Sequence, residues 1–275
     1  MAFGDDKAPI RAAEILVGRR LTGACGPVLP QDCRPADLEE ALAIQAAVTD
    51  LLLARHGERV AGWKCGLPEP GRLVLAPIYA GAVHHAGDAP VWAEAGQVKV
   101  EPELAFVLGR DLPARAQPYT PDEVDAAVCR THLALELIHN RYDAASAPAF
   151  PDRLADGLVN QGLWLGPEVD GATAREARQL TLRVPQTDGS VQTVTGAHPA
   201  GAPRAPLYWL AEFLRARGVG LRAGQVVITG SYAGAPWVPV GEPLTFGFDP
   251  LGRLTVRLVA RPQGGTVPEA GALKA

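Results

Sequence analysis

Residues Val100–Arg110 read VEPELAFVLGR, and the fold follows from how this stretch is parsed. Taken as a β-strand, successive side chains alternate between two faces. Glu101, Glu103, Ala105 and Val107 then share one face, while Leu104, Phe106 and Leu108 share the other and make a core. Two carboxylates side by side repel one another, which is a poor arrangement for stability alone. A hard divalent cation removes the repulsion and is matched to carboxylate oxygen. Pro102 lies between them without an N–H to give to a ladder, so a strand start, an edge or a bulge is expected there. On spacing alone, E-x-E is equally compatible with a solvated edge strand carrying two surface glutamates.

Further along, His132–Tyr142 reads HLALELIHNRY, where Glu136 interrupts an apolar run. As a strand, this segment puts Glu136 on the face of Ala134 and Ile138. A buried carboxylate without a partner is costly. A cation shared with Glu101 and Glu103 would relieve it, with the three sets of oxygens roughly 4–5 Å apart around an octahedral ion. An ion pair with Arg141 is the competing arrangement. The lysines of this arginine-rich chain are Lys7, Lys64, Lys99 and Lys274. Lys64 stands in VAGWKCGL between glycines that permit close approach of a ligand. It could neutralise a substrate carboxylate or move a proton, or simply extend its ammonium to water. In GQVVITGSY, a strand runs into Gly230–Ser231, a plain turn or an anion contact through backbone N–H and hydroxyl. The six histidines form neither H-x-x-x-H nor H-E-x-x-H, so no zincin helix is encoded. His139, three residues past Glu136, falls on the opposite strand face and is expected to act structurally rather than as a ligand.

The rest of the chain sets the frame. Helices are expected at 8–22 and 35–57, the second opened by Pro35 and Asp37 and closed by Gly57. From residue 58 short β-like runs bounded by Gly and Pro take over, with helices at 121–130 and 205–217 and a hairpin turn at DGS 188–190. This pattern is α+β rather than a doubly wound sheet. The expected division is a helical segment at 1–57, a catalytic domain at 58–260 and a loose tail at 261–275. Neither G-x-G-x-x-G nor a P-loop occurs, which removes the usual phosphate cradles. The 275 residues carry a net charge of −4 and no basic stripe, arguing against nucleic acid. The N-terminus lacks the layout of a secretory signal, and no apolar run is long enough to span a bilayer. Cys25, Cys33, Cys65 and Cys129 form no C-x-x-C pair and read as reduced thiols. A cytoplasmic enzyme is expected, without a membrane partner.

VAGWKCGL, VEPELAFVLGRDL, LALELIHNRY, LADGLVNQGLWLG and LYWLAEFLRARGVGLRAGQVVITGSYAG, in this order, resemble the 2-keto-4-pentenoate hydratase and 4-oxalocrotonate decarboxylase group of the fumarylacetoacetate hydrolase superfamily. The resemblance spans about Ala12 to Leu258. It implies a central mixed β-roll with flanking helices and an N-terminal helical layer. It implies Mg²⁺ or Mn²⁺ on Glu101, Glu103 and Glu136, a catalytic Lys64, and substrate contacts at Gly230, Ser231 and Asn160. The implied reaction is hydration of a 2-hydroxy-2,4-dienoate to a 4-hydroxy-2-keto acid. Decarboxylation of a 2-oxo-dioate, acylpyruvate C–C hydrolysis, or a non-catalytic role beside a sister enzyme are the alternatives. A homo-oligomer, able to pair with a sister pathway enzyme, is also implied. The chain departs from the group at His139, where an acidic residue is usual, and in A-D-G-L-V-N, where A-D-N-x-S is usual.

Overall fold

A computed structural model describes residues 7–262; the expected loose tail lies outside the described residues except for Arg261 and Pro262. Helices α1 (Lys7–Thr22) and α2 (Leu38–His56) come first. Asp37 caps α2 by accepting the Glu40 N–H, and Gly57 ends it at φ 63°, the left-handed conformation that costs glycine least. Strands β1 (Val60–Cys65), β2 (Leu75–Tyr79), β3 (Val83–His84), β4 (Asp88–Val91) and β5 (Gln97–Leu108) follow. Next come α3 (Pro121–Ala127), β6 (Val128–Ile138), α4 (Phe150–Ala155), β7 (Asn160–Val169) and α5 (Gly171–Arg175). The chain continues through β8 (Gln179–Pro185), β9 (Val191–Ala197) and α6 (Ala205–Ala216). It ends in β10 (Val226–Ile228), β11 (Trp237–Pro239), β12 (Pro243–Asp249) and β13 (Gly252–Ala260).

One mixed sheet has the order β2-β1-β10-β5-β6-β7-β3, with β11 also paired to β5. Strand β1 runs parallel to β10, with Gly62 opposite Val226 and Lys64 opposite Ile228. The sheet curls, so that Ile78 of β2 and Leu163 of β7 share one inner apolar cluster with Ala105, Val107, Ala134, Val226 and Ile228. Its outer face carries Leu104, Phe106, Leu108, Leu133, Leu135 and Leu137 into the main core. That core also takes side chains from α1, α2 and α6 and from the second sheet, β4-β13-β12-β8-β9. Buried Gln45 stitches α2 to the sheet and to α4, donating to the carbonyls of Leu75 and Leu154 at 3.0 and 2.8 Å. This is a curled mixed sheet with flanking helices, the α+β roll that the sequence implied.

Two local expectations need correction. The helix at 121–130 stops at Ala127, and Val128 already belongs to β6. The capping box of Thr120 and Glu123 fixes the start, but the β-branched residues Val128 and Thr131 favour extension where the helix would continue. Pro102 is not at a strand start but well inside β5, opposite Leu135. It is tolerated because β5 changes its second neighbour there. β10 covers residues 105–107 and β11 covers 97–99. Between them runs the loop 229–236, which gives the Tyr232 N–H to the Pro102 carbonyl at 3.2 Å. The missing N–H thus faces a gap in the ladder.

Candidate metal and catalytic site

That gap is where the carboxylates sit. Glu101 of β5 is directly opposite Glu136 of β6, and Glu103 lies one same-face step further along. One oxygen from each of Glu101, Glu103 and Glu136 falls within 4.8 Å of the others. Glu103 and Glu136 are buried at 2% and 0% exposure, so solvent does little to relieve their repulsion. Burial, and then the charge of Glu136, pushes the Glu101 carboxyl up to about 7; the same two causes raise Glu103 well above the carboxylate range.

Each acid is oriented by a different element. The Gly230 N–H, from the loop entering the gap, donates to Glu103 Oε2 at 2.6 Å. Gly230 has φ 133°, and a Cβ there would come within 2.6 Å of Pro199 Cγ, so this close donor requires glycine. Lys64 of β1 donates to Glu136 Oε1 at 2.7 Å, and its Nζ also reaches the Leu158 carbonyl at 3.4 Å. Burial works against the Lys64 charge, but Glu136, Glu101 and Glu103 outweigh it and raise its pKa. The Asn160 amide donates to the same Glu136 Oε1 at 2.8 Å. Glu136 Oε2 is left buried without a hydrogen-bond partner. A buried carboxylate with one unpartnered oxygen, clustered with two more carboxylates, is a donor set that suits a hard divalent cation.

Glu101, Glu103, Glu136, Lys64, Asn160 and the Gly230 backbone are therefore brought together. The Ser231 hydroxyl instead donates to the Gly234 carbonyl at 2.7 Å and closes its own turn. His139 is outside the cluster: Nε2 lies 3.2 Å from the Gly23 carbonyl, and burial lowers its pKa to about 4. Arg141, the competing partner for Glu136, is engaged elsewhere. It is fully buried and grips both Asp156 oxygens at 2.7 and 2.9 Å, together with the backbone carbonyls of Asp156 and Asn160. Arg20 holds the same two carbonyls. Sequence reasoning missed this strap. Between its anchors, Leu158 and Val159 have φ 53° and 60°, strained for side chains of this kind. The strap holds the strained turn so that the Leu158 carbonyl meets Lys64 and Asn160 meets Glu136.

A buried three-carboxylate cluster with one lysine, on the concave face of a curled sheet, defines a class of enzyme rather than a single reaction. The chain belongs to the fumarylacetoacetate hydrolase family, whose C-terminal family pattern matches residues 67–259. Its relatives include the 2-keto-4-pentenoate hydratase of Paraburkholderia xenovorans, 33% identical over 74% of this chain and 78% of that one. Another is the 2-keto-4-pentenoate hydratase of Burkholderia vietnamiensis, 28% identical over 83% and 89%. Among solved structures, a 4-oxalocrotonate decarboxylase from Pseudomonas putida G7, complexed with magnesium and adipate, superposes with TM-score 0.71. It covers 94% of this chain and 99% of its own at 19% identity, and so establishes the shared fold.

Proposed function

We propose that the chain is a divalent-metal-dependent hydro-lyase that adds water to a 2-hydroxy-2,4-dienoate to give a 4-hydroxy-2-keto acid. The observation carrying this reading is the convergence of three carboxylates, one oxygen of each within 4.8 Å of the others, with Glu136 Oε2 left unpartnered. The hydratase names of the relatives support the choice of reaction. Glu101, Glu103 and Glu136 would hold Mg²⁺ or Mn²⁺, which supplies Lewis-acid stabilisation of negative charge developing on the 2-oxygen of the substrate.

The protein's own groups do the rest. Lys64, fixed against Glu136 at 2.7 Å, is the proton carrier beside the reacting chain. The 2-hydroxyl loses a proton, C5 gains one, and the conjugated 2-oxo-3-enoate forms. Water then adds across C3 and C4, with its oxygen on C4. Asn160 and the Gly230 N–H keep two carboxylates in fixed rotamers, so little reorganisation accompanies binding. With the Gly230 N–H committed to Glu103, the adjoining Ser231 N–H would be the contact for the substrate carboxylate. The reading extends to a cytoplasmic homo-oligomer, able to pair with a sister enzyme of the same degradation route. Among the described residues, no helix is long and apolar enough to cross a membrane.

The test is a chelator-stripped enzyme assayed on 2-hydroxydienoates, a 2-oxo-dioate and acylpyruvates. Dienoate consumption and 4-hydroxy-2-keto acid formation should return with Mg²⁺ or Mn²⁺. Lys64→Met should lower kcat by roughly 10²–10⁴ while Mn²⁺ still raises the melting temperature. Full turnover in chelator, or CO₂ release without hydration, would sink the proposal.

A further inference from the structure

Among the described residues, Glu103 accepts one hydrogen bond, from the Gly230 N–H at 2.6 Å. Glycine has no side chain with which to anchor its own peptide, so the aim of that N–H is set by its neighbours. After Gly230, Tyr232 gives its N–H to the Pro102 carbonyl at 3.2 Å and its hydroxyl to the Ala177 carbonyl at 2.6 Å. Before it stands Thr229, buried, whose hydroxyl donates to the Pro203 carbonyl at 2.7 Å. The peptide group joining Thr229 to Gly230 carries the N–H that meets Glu103.

His198 and Pro199, directly after β9, pack against this peptide. Pro199 Cγ and His198 Nε2 would lie 2.6 and 3.7 Å from a Cβ on Gly230, and Nε2 is 3.3 Å from Thr229 Oγ1. Burial lowers the His198 pKa to about 4, so the ring is neutral and carries one proton. Nδ1 accepts the Ala200 N–H at 3.2 Å, which leaves that proton on Nε2. The Thr229 hydroxyl hydrogen is committed to Pro203, so its oxygen accepts. The network then runs one way, from His198 Nε2–H to Thr229 Oγ1 and from Thr229 O–H to the Pro203 carbonyl. The imidazole is itself fixed, by its backbone N–H on the Arg178 carbonyl at 2.8 Å and by edge-on packing against Tyr232, with ring centres 5.2 Å apart. An apolar side chain of similar size would fill this volume without the cost of desolvating two nitrogens. Both nitrogens are instead engaged, one with its own turn and one with Thr229, and neither is free to meet substrate.

We propose that His198 is a positioning residue for the cation: through Thr229 it holds the Gly230 N–H on Glu103 Oε2 and so presets that carboxylate for metal. The proposal rests on the metal reading above and extends it to a residue that touches neither metal nor substrate. A carboxylate already held in one rotamer loses less freedom when the cation arrives. Removing a group that orients a metal ligand costs roughly 10–100-fold in metal affinity. His198 acts at one remove, so the lower end of that range applies.

Calorimetric titration of the chelator-stripped full chain with Mn²⁺ tests it. His198→Leu removes the donor at similar volume and should weaken Mn²⁺ binding about tenfold. Thr229→Val removes the hydroxyl at similar shape and should do the same. The double variant should be within about twofold of the weaker single one, because both changes act along one path. His198→Gln keeps an N–H at the reach of Nε2 and should bind Mn²⁺ within about twofold of the native chain. A packing role gives the opposite ranking, since Leu suits an apolar pocket better than Gln. Native-like affinity in His198→Leu or Thr229→Val, a loss in His198→Gln equal to that in His198→Leu, or additive losses in the double variant overturns the positioning role alone. Should His198→Leu not fold, the contrast of Thr229→Val with His198→Gln decides in the same way. Failure of the native chain to bind Mn²⁺ overturns the metal reading and the positioning role with it.

Discussion

Glu136 divides its labour between two oxygens. Oε1 takes both Lys64 and Asn160, while Oε2 takes neither. A carboxylate half-satisfied in this way needs a further cation, and that need cannot be read from LALELI, where Glu136 is one polar letter in an apolar run. Sequence alternation did place Glu101, Glu103 and Glu136 on coherent faces. It could not say that Lys64, 72 positions away, would be the partner rather than Arg141. Glu103 illustrates the conflict built into such a site. It is buried beside two like charges, with one backbone N–H in compensation. Glu103→Gln should therefore raise stability in chelator, by about 1–2 kcal/mol if it resembles other relieved functional sites. The same variant should lose the stabilisation that Mn²⁺ gives the native protein, which is about 2.7 kcal/mol at a hundredfold excess over Kd. Denaturant titrations with and without Mn²⁺ read both effects, and an unchanged response to the metal would remove Glu103 from the ligand set.

At the scale of elements, the segment from α4 to β7 acts as a clamp on the site. It is built from Arg141, Arg20 and Asp156 and holds a turn whose φ values no sequence signal announced. The sequence shows ADGLVN there, and Gly157 alone suggests a bend. Removing one partner of a buried ion pair leaves the other charge stranded. Asp156→Asn should cost roughly 3–5 kcal/mol. It should also weaken Mn²⁺ binding, because Asn160 loses its anchored backbone. Comparing the denaturation midpoint with the Mn²⁺ Kd separates the two effects: lost stability with an unchanged Kd would make the clamp purely structural. The α3–β6 boundary is the converse case. Its start was legible from T-P-D-E, but its end carried no Gly or Pro. The alternation that begins at Val128 became visible only as part of β6.

Across the whole molecule, α1, α2, α6 and the longer strands were legible because each has a strong local period or a turn signal, whereas the short helices α4 and α5 and the short strands β2, β3, β4 and β11 carried none. The curl was implied by the family resemblance and by no local pattern, because it depends on β1 pairing with β10 and on the gap between β10 and β11. The buried histidines give a global prediction. His198 is 3% exposed, and its Nδ1 accepts the Ala200 N–H. Burial lowers its pKa to about 4, and burial comes first among the causes that do the same to His139. Between about pH 6.5 and 4 the unfolded chain takes up protons at these positions that the folded chain refuses. Their contribution to stability is thus present above pH 6.5 and is lost as pH falls, at up to about 1.4 kcal/mol per pH unit for each residue. In saturating Mg²⁺, His198→Gln should show a shallower loss than the native protein over this range. Parallel pH profiles would show that His198 is charged in the folded state.

The parallel pairing of Gly62 with Val226 has a consequence for how the protein is made. The strand bearing Lys64 leaves the ribosome early, yet its inner neighbour is synthesised more than 150 residues later. Contacts of such long range form slowly, and the edge of β1 away from β2 stays open to wrong partners in the interval. β5, β6 and β7 can pair as soon as they emerge. The acids are thus in place on the nascent chain before the lysine that serves them is locked in, and the enzyme acquires its charge balance only as the last strands arrive.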